Sequence, residues 1–251
     1  TEEFAAQLAS VLVELEGHYT LTPGRADAPG DKTWEYTLEA EVEDVSRQRF
    51  ADRATVVVHP AAWYAGVRVT GSGFATTGKP VGLELIATDP LGARQVGVPL
   101  SLEVKRREWK NIRKKGVGDQ WFTVSEPVET RVAGCQVKSA RDPVACAFTP
   151  DQVGLYLLEA TLQDTQGRKQ VTRSSLYAIG DGWVSWQRND ADHLELVPDR
   201  TLYDIGDTAK VLIKSPYPKA DALVTVEREG VLSRRLVKLE GAATAIDVPL
   251  D

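Results

Sequence analysis

The sequence predicts an all-β chain built from tandem immunoglobulin-like antiparallel β-sandwich domains. Three observations lead to this fold class. Apolar and polar residues alternate with a period of two in many short segments, as at Leu100, Leu102 and Val104, which is typical of half-buried strands. Turn-forming residues such as those of Asp89–Gly92 separate these segments. Parts of the chain also repeat, and self-similarity at a fixed period indicates serial domains.

The repeat sets the expected domain organisation. Tyr36–Asp44 returns 120 positions later as Tyr156–Asp164, and Gly78–Thr88 returns 128 positions later as Gly206–Pro216. The first pair resembles the end of a unit and the second its beginning, so only one unit is complete, and we expect a piece of a longer array. The predicted domains are the C-terminal part of a first unit (1–60), a complete middle unit (61–180) and the N-terminal part of a head unit (181–251).

Short strands are expected in each unit. The alternation places about seven in the middle unit, near 64–70, 81–87, 98–108, 120–124, 128–136, 145–148 with 154–163, and 170–178. The first unit is expected to supply a closing hairpin at 36–44 and 53–59. The head unit is expected to supply strands near 193–197, 208–214, 222–228, 234–239 and 244–248.

The first 33 residues give a mixed signal. Val11, Val13 and Leu15 alternate as in a strand. A helix is the alternative, because helical spacing is found at Phe4, Leu8, Val11, Leu12 and Leu15. A neighbouring sandwich favours a strand at 10–16. The Pro, Gly and Asp residues of 22–33 predict a loop.

The composition is that of a folded globular chain, with 42% hydrophobic and 26% charged residues. The formal net charge of −6 disfavours nucleic acid as a partner. No apolar run is long enough to span a bilayer, so we expect no direct membrane insertion by this segment. The chain starts at Thr1 and contains no Met, which we interpret as processing or trimming that leaves export open.

The two cysteines are close in sequence. Cys135 and Cys146 flank the turn-forming residues Ser139–Pro143, so they can face each other across a hairpin. A disulfide here would contribute about 2–3 kcal/mol on the loop-entropy model and would imply an oxidising compartment. The alternative is a pair of free buried thiols in a cytosolic protein. We predict the disulfide, since no His or third Cys lies nearby to complete a zinc site.

The strongest cluster of charge is basic. Lys105–Lys115 carries seven basic side chains and one acidic one. Aromatic residues among arginines can bind nucleic acid, but this run follows a strand pattern in an acidic chain. We expect a long solvated hairpin, with an electrostatic contact to a neighbouring domain or an acidic partner as the alternative.

Chemical motifs give weaker signals. The three histidines are scattered and form no zinc-hydrolase motif. Asn189–Asp192 with Asp181 misses the spacing of a calcium loop, and a linker turn is the better interpretation. No catalytic, phosphate-binding or dinucleotide motif appears. We therefore expect no enzymatic activity, no cofactor and no metal site.

Four residues stand where the middle unit passes to the head unit: Gly180, Gly182, Trp183 and Trp186. Glycine permits backbone conformations that other residues disfavour, and each Trp can bury on the order of 150–250 Å². Together they predict an interdomain hinge with a preferred docked state, because a few large apolar side chains can separate without unfolding either domain. Packing within one domain core is the alternative.

Several segments resemble the macroglobulin-like domains of bacterial alpha-2-macroglobulins. The resemblance covers nearly the whole chain from about residue 34 and is closest in the head unit. The segments are Tyr36–Arg49 with Val58–Pro60, Val104–Trp109 with Arg113–Gly118, and Tyr203–Pro218 with Ala222–Leu232.

This resemblance implies a large, broad-spectrum protease inhibitor that is periplasmic, secreted or on the cell surface, with a parent that can carry a lipid anchor. In such proteins a protease cuts an exposed bait segment, the array of sandwiches rearranges, and the protease is trapped. Many members also carry a thioester in a Cys-x-x-Gln motif. Neither Cys135 nor Cys146 starts that motif, so we expect the thioester to lie outside this chain or to be absent. No bait segment is recognisable in the sequence, so we expect the bait outside this chain as well.

The expected partners are therefore other macroglobulin-like domains of the same parent and, through the full-length protein, target proteases. The alternative function is a tandem immunoglobulin-like region of a bacterial surface adhesin or carbohydrate-binding protein. The rest of the parent would separate the two, since an adhesin continues with near-constant repeats and an inhibitor with a Cys-x-x-Gln domain.

Overall fold

The computed structural model describes residues 32–43, 46–71, 73–187, 194–217 and 219–250. The predicted strand at 10–16, most of the loop at 22–33 and the candidate calcium residues 189–192 lie outside these ranges. Within them the regular structure is almost entirely strand, which confirms the predicted fold class. Over the same residues, the structure has no helix with the length and apolar character that crossing a membrane requires.

The strands follow the predicted order along the chain. They are β1 (Trp34–Glu43), β2 (Arg49–Val58), β3 (Tyr64–Val69), β4 (Ala75–Thr76), β5 (Val81–Thr88), β6 (Pro99–Lys115), β7 (Trp121–Lys138), β8 (Val144–Phe148), β9 (Gly154–Gln163), β10 (Lys169–Ile179), β11 (Glu195–Pro198), β12 (Thr208–Lys214), β13 (Lys219–Glu227), β14 (Val231–Glu240) and β15 (Ala243–Pro249). A single 3-10 turn at Val117–Asp119 joins β6 to β7.

Two sheets form the sandwich of the middle unit. One has the order β4-β10-β9-β6-β7 and the other the order β3-β5-β8. Their facing side chains alternate with outward polar ones, and the inner set is almost fully removed from water, including Leu85, Leu102 and Leu158. Burying each such side chain stabilises the fold by roughly 1.5–3 kcal/mol, so this interface is the main core.

The structure corrects three strand boundaries. The segments predicted at 120–124 and 128–136 are one continuous strand, β7, and β6 extends to Lys115 rather than stopping near 108. Pro127 lies inside β7 and lacks a backbone N–H, which is tolerated because β7 is an edge strand. The predicted pairing of 145–148 with 154–163 as one element is also wrong, since these are the separate strands β8 and β9.

The disulfide between Cys135 and Cys146 is present, but its setting differs from the prediction. We expected the two cysteines on adjacent strands of one hairpin. Instead Cys135 lies on β7 and Cys146 on β8, which are the edge strands of different sheets. The disulfide therefore joins the two sheets along one side of the sandwich.

The sequence repeat corresponds to a repeat of structure. The hairpin β1–β2 has the same register as β9–β10 shifted by 120 positions, so that Trp34 pairs with Val58 as Gly154 pairs with Ala178. In the head unit, β12 lies between β11 and β15 as β5 lies between β3 and β8. The strands β13 and β14 then correspond to β6 and β7. The domain boundaries at 60 and 180 stay predictions.

Candidate functional site

Residues 180–187 connect β10 to the head unit and form the best-defined candidate site, which we call the junction. Gly180 and Gly182 both have positive φ values, 148° and 142°, which L side chains rarely adopt. A Cβ on Gly180 would lie 2.2 Å from Thr77 Oγ1, and one on Gly182 would lie 3.3 Å from Val153 Cγ2. Both positions therefore favour glycine for conformation and for space.

Trp186 is the buried anchor of the junction, with 6% of its surface exposed. Its indole Nε1 donates a hydrogen bond to the Ala242 carbonyl oxygen at 2.6 Å. Its ring lies 6.0 Å from that of Tyr177 between centroids. Since Tyr177 belongs to β10 and Ala242 to the turn between β14 and β15, this one side chain contacts both units.

A separate hydrophobic cluster surrounds Trp186. It draws on β9, on the junction and on the head unit, and it is distinct from the main core of the middle unit. Its buried members are Val153, Leu155, Val184, Trp186, Leu212, Ala242 and Ala243. The junction is thus a packed contact between two sandwiches and not a solvated tether.

The long strand β6 also holds the junction. The Trp109 backbone N–H donates to the Ser185 carbonyl oxygen at 3.2 Å. The Asn111 amide Nδ2 donates to Ser185 Oγ and to the Trp186 carbonyl oxygen, each at 2.9 Å. These bonds satisfy backbone groups of the junction that would otherwise compete for water.

A cation closes the aromatic side of the junction. Lys214 Nζ lies 5.2 Å from the centroid of the Trp186 ring and 5.7 Å from that of Tyr177. The same ammonium donates a short hydrogen bond to Glu195. A partly desolvated cation over aromatic faces is favourable, so Lys214 on β12 adds an electrostatic contact to the apolar one.

Trp183 behaves differently from Trp186. Half of its surface, 50%, is exposed. The structure therefore gives the two tryptophans unequal roles in the docked state, and only Trp186 has the contacts of an anchor. Movement at this hinge stays a prediction.

A second arrangement ties the closing hairpin to the start of the middle unit. The Asp164 carboxylate is buried and accepts hydrogen bonds from the backbone N–H groups of Ala62, Gln166 and Arg168 at 2.9–3.0 Å. The Arg168 Nε donates at 2.7 Å. Burial by itself would raise the pKa of Asp164, but these donors outweigh it and lower the pKa to about 2. Asp164 is therefore an ionised structural link.

The described residues contain no group of three or more His, Cys, Asp or Glu side chains placed to hold a metal ion. The contacts of the junction are apolar packing, backbone hydrogen bonds and one aromatic–cation contact. This arrangement can set the angle between two sandwiches, and its chemistry is that of an interface.

Sequence reasoning found Gly180, Gly182 and Trp186 but missed Asn111, Lys214 and the Ala242 turn. Asn111 lies inside the basic run 105–115, which the sequence analysis interpreted from its charged side chains alone. The contact of Lys214 depends on how two sandwiches meet. No local sequence signal specifies how the two sandwiches pack against each other.

Comparisons with known proteins relate this chain to one family. A family model described as "Alpha-2-macroglobulin bait region domain" matches residues 194–251. An alpha-2-macroglobulin homolog of Nostoc sp. is 27% identical over 212 residues, covering 84% of this chain and 11% of the relative. The alpha-2-macroglobulin of Ralstonia nicotianae is 35% identical over 112 residues, covering 45% and 7%. A homolog from Deinococcus radiodurans is 24% identical, covering 94% and 22%.

Two solved structures are similar at lower identity. Salmonella alpha-2-macroglobulin reacted with methylamine matches with a TM-score of 0.47 at 14% identity, covering 89% of this chain and 15% of that one. The native conformation of Escherichia coli alpha-2-macroglobulin matches with a TM-score of 0.45 at 16% identity, covering 87% and 15%.

The family-model match bears on one expectation from the sequence. From the sequence, we expect the bait outside this chain and assign 181–251 to the N-terminal part of a further macroglobulin-like domain. The match relates 194–251 to a domain named for the bait region, which is a more specific relationship than the sequence analysis gave.

Proposed function

We propose that the chain is a member of the alpha-2-macroglobulin family and a scaffold segment of a bacterial broad-spectrum protease inhibitor that traps proteases after its bait is cleaved. It spans 11% of the Nostoc relative and 22% of the Deinococcus relative. Its role is therefore that of a part, and inhibition belongs to the longer protein.

The observation that carries this proposal is the junction. A scaffold of this kind needs domains that keep one arrangement before cleavage and adopt another afterwards. Trp186 makes a single large contact across two sandwiches, outside the main core of either. Such a contact can separate without exposing Leu85, Leu102 or Leu158, so each sandwich can stay folded while the angle changes.

The same reasoning supports particular partners and a location. The other macroglobulin-like domains of the parent are the proposed neighbours, and target proteases are reached through the full-length protein. The disulfide between Cys135 and Cys146 supports an oxidising compartment. We therefore propose that the parent works in the periplasm, at the cell surface or outside the cell.

The test uses the longer protein that contains this segment. It is incubated with trypsin, and residual activity is measured on a small chromogenic peptide and on a large protein substrate. A trapped protease should keep its activity on the peptide and lose most of it on the protein. Equal activity on both substrates would contradict the proposal, and so would inhibition by the isolated 251-residue chain.

A further inference from the structure

The long hairpin of the middle unit continues well past its own sheet. The pairing of β6 with β9 ends at Arg107, whereas β6 and β7 remain paired as far as Lys115 and Trp121. At about 3.3 Å per residue, the free ribbon projects roughly 25 Å. Its base is fixed to the junction through Trp109 and Asn111, so the far end, residues 112–122, is presented on a rigid support. We call this far end the arm tip.

The arm tip exposes apolar side chains on every side. Val117 stands at the turn with 97% of its surface exposed, and Trp121 follows with 55%. Lys115 pairs with Trp121 and Lys114 with Phe122, so Trp121 and Phe122 point to opposite faces of the ribbon. Ile112 is exposed on the Phe122 face. Monomeric proteins rarely expose such a set without a partner.

Basic side chains stand directly behind these apolar ones. The arm tip contains Arg113, Lys114 and Lys115 against one acidic residue, Asp119, and the Lys114 ammonium also lies 3.4 Å from the Glu126 carboxylate at the base of the tip. Asp119 lies 2.5 Å from the Lys115 ammonium, and the Arg113 guanidinium lies 5.9 Å from the Trp121 ring centroid. The chain as a whole carries −6, so the arm tip is a local cationic end on an acidic molecule.

We propose that the arm tip docks on an anionic lipid surface, with Val117, Trp121 and Phe122 in the interfacial region and the three basic side chains Arg113, Lys114 and Lys115 at the headgroups. A protein groove usually covers one face of a ribbon, whereas these apolar groups occupy both faces and the turn. Aromatic residues prefer the membrane interface, and basic residues gain from anionic headgroups. This is shallow peripheral contact and not a membrane span, and it does not depend on the proposed inhibitor function.

The length of the tip fits this contact. Interfacial segments enter about 5–10 Å into the boundary between headgroups and acyl chains. From the turn at Val117 to Phe122 the ribbon advances by about that distance. Glu126 and Glu129 pair with Lys110 and Arg107, further from the turn, so these two carboxylates stay on the aqueous side. Asp119 at the turn enters the interface as the ion-pair partner of Lys115.

The experiment is sedimentation of the whole chain with phosphatidylcholine vesicles, with and without phosphatidylglycerol. Binding is expected only with the anionic lipid and should fall with added salt. Trp121→Gln with Phe122→Ser should lower partitioning at least about tenfold. Arg113→Gln with Lys114→Gln should lower it about fivefold for each charge removed. The control, Leu91→Ser with Ile205→Ser, removes two side chains that are 96% exposed elsewhere and should leave partitioning unchanged.

Tryptophan fluorescence checks that the arm tip itself contacts the lipid. The chain has six tryptophans, so Trp121→Phe should keep the binding yet lose most of the blue shift that lipid causes. The proposal is wrong if the chain does not bind anionic vesicles. The exposed side chains of the arm tip would then be explained by a protein partner instead. The proposal is equally wrong if the control variant weakens binding as much as the tip variant does, or if binding ignores lipid charge.

Discussion

The middle and head units contain equivalent strands that are buried to different extents. In the middle unit, β6 is covered by β7 on one edge and β9 on the other, and its inward residues Leu100, Leu102 and Val104 are almost fully buried. Their counterparts 120 positions later, Ala220, Ala222 and Val224 on β13, are only half-buried. Among the described residues, β13 pairs with β14 alone. The lower burial of β13 accompanies the lack of a described counterpart to β9 beside it, so the alternating pattern of the strand does not set its burial alone.

The first hairpin, β1–β2, is also less buried than its equivalent in the middle unit. β1–β2 reproduces the closing hairpin β9–β10 in register, but Leu38 is half-buried where its counterpart Leu158 is fully buried. Two stretches of closely related sequence thus differ in their contribution to stability. The difference lies in whether a facing sheet is present to pack against, because apolar burial is a property of the assembled sandwich.

The largest effect should come from the core of the closing hairpin. Leu158→Ala leaves a cavity in a site that is 0% exposed, so we expect a loss of about 2–5 kcal/mol in the free energy of unfolding. The matched control Leu38→Ala should cost less than about 1 kcal/mol. Chemical denaturation followed by far-UV circular dichroism measures both. Equal losses would show that the first hairpin is as well packed as the second.

The disulfide should have the next largest effect, and only on the middle unit. Cys135→Ser with Cys146→Ser removes a link between its two sheets and should cost about 2–3 kcal/mol on the loop-entropy model. The head unit contains no cysteine, so its hydrogen-exchange rates should stay as they were. Exchange followed by mass spectrometry separates the two. A loss shared equally by both units would mean that they unfold as one.

Asp164 should contribute about 2 kcal/mol to the free energy of unfolding of the middle unit, and this contribution should depend on pH. Its folded pKa of about 2 lies below the ordinary value of 3.8, so it stabilises the middle unit above about pH 4 and loses that effect as the pH falls toward 2. Asp164→Asn should flatten this part of the stability curve. Asp89→Asn is the control, because Asp89 accepts two backbone bonds in a more exposed turn. A similar flattening in both variants would contradict the assignment.

Sequence patterns predicted the fold well where local chemistry decides it. Alternation placed nearly every strand, and the repeat at Tyr36 and Tyr156 identified equivalent hairpins. The errors arose where a distant partner decides the outcome. Pro127 is tolerated because β7 is an edge strand, and Cys135 meets Cys146 across sheets because the chain crosses between them after β7. Neither fact is encoded within a few residues of the position concerned.

The candidate site shows the same limit. Gly180 and Gly182 were recognisable because positive φ has a residue preference of its own. Trp183 and Trp186 looked alike in sequence, but only the packing of the head unit tells which is buried. The contribution of Lys214 needed the position of Tyr177, which lies on another unit. Interdomain contacts of this kind depend on assembly, so composition and spacing indicate a junction without specifying its contacts.

The smallest effect on the middle unit should come from the junction itself. Trp186→Ala removes the anchor between Tyr177 and the Ala242 turn, so the head unit should sample a wider range of angles and small-angle scattering should report a larger radius of gyration. The free energy of unfolding of the middle unit should change by less than about 1 kcal/mol, since its main core does not include Trp186. Trp183→Ala is the control and should change neither quantity, because half of that side chain is already exposed. If Trp186→Ala unfolds the middle unit, its indole belongs to a domain core. If the scattering curve stays unchanged, the hydrogen bonds from Asn111 hold the two units without it and the hinge lies elsewhere.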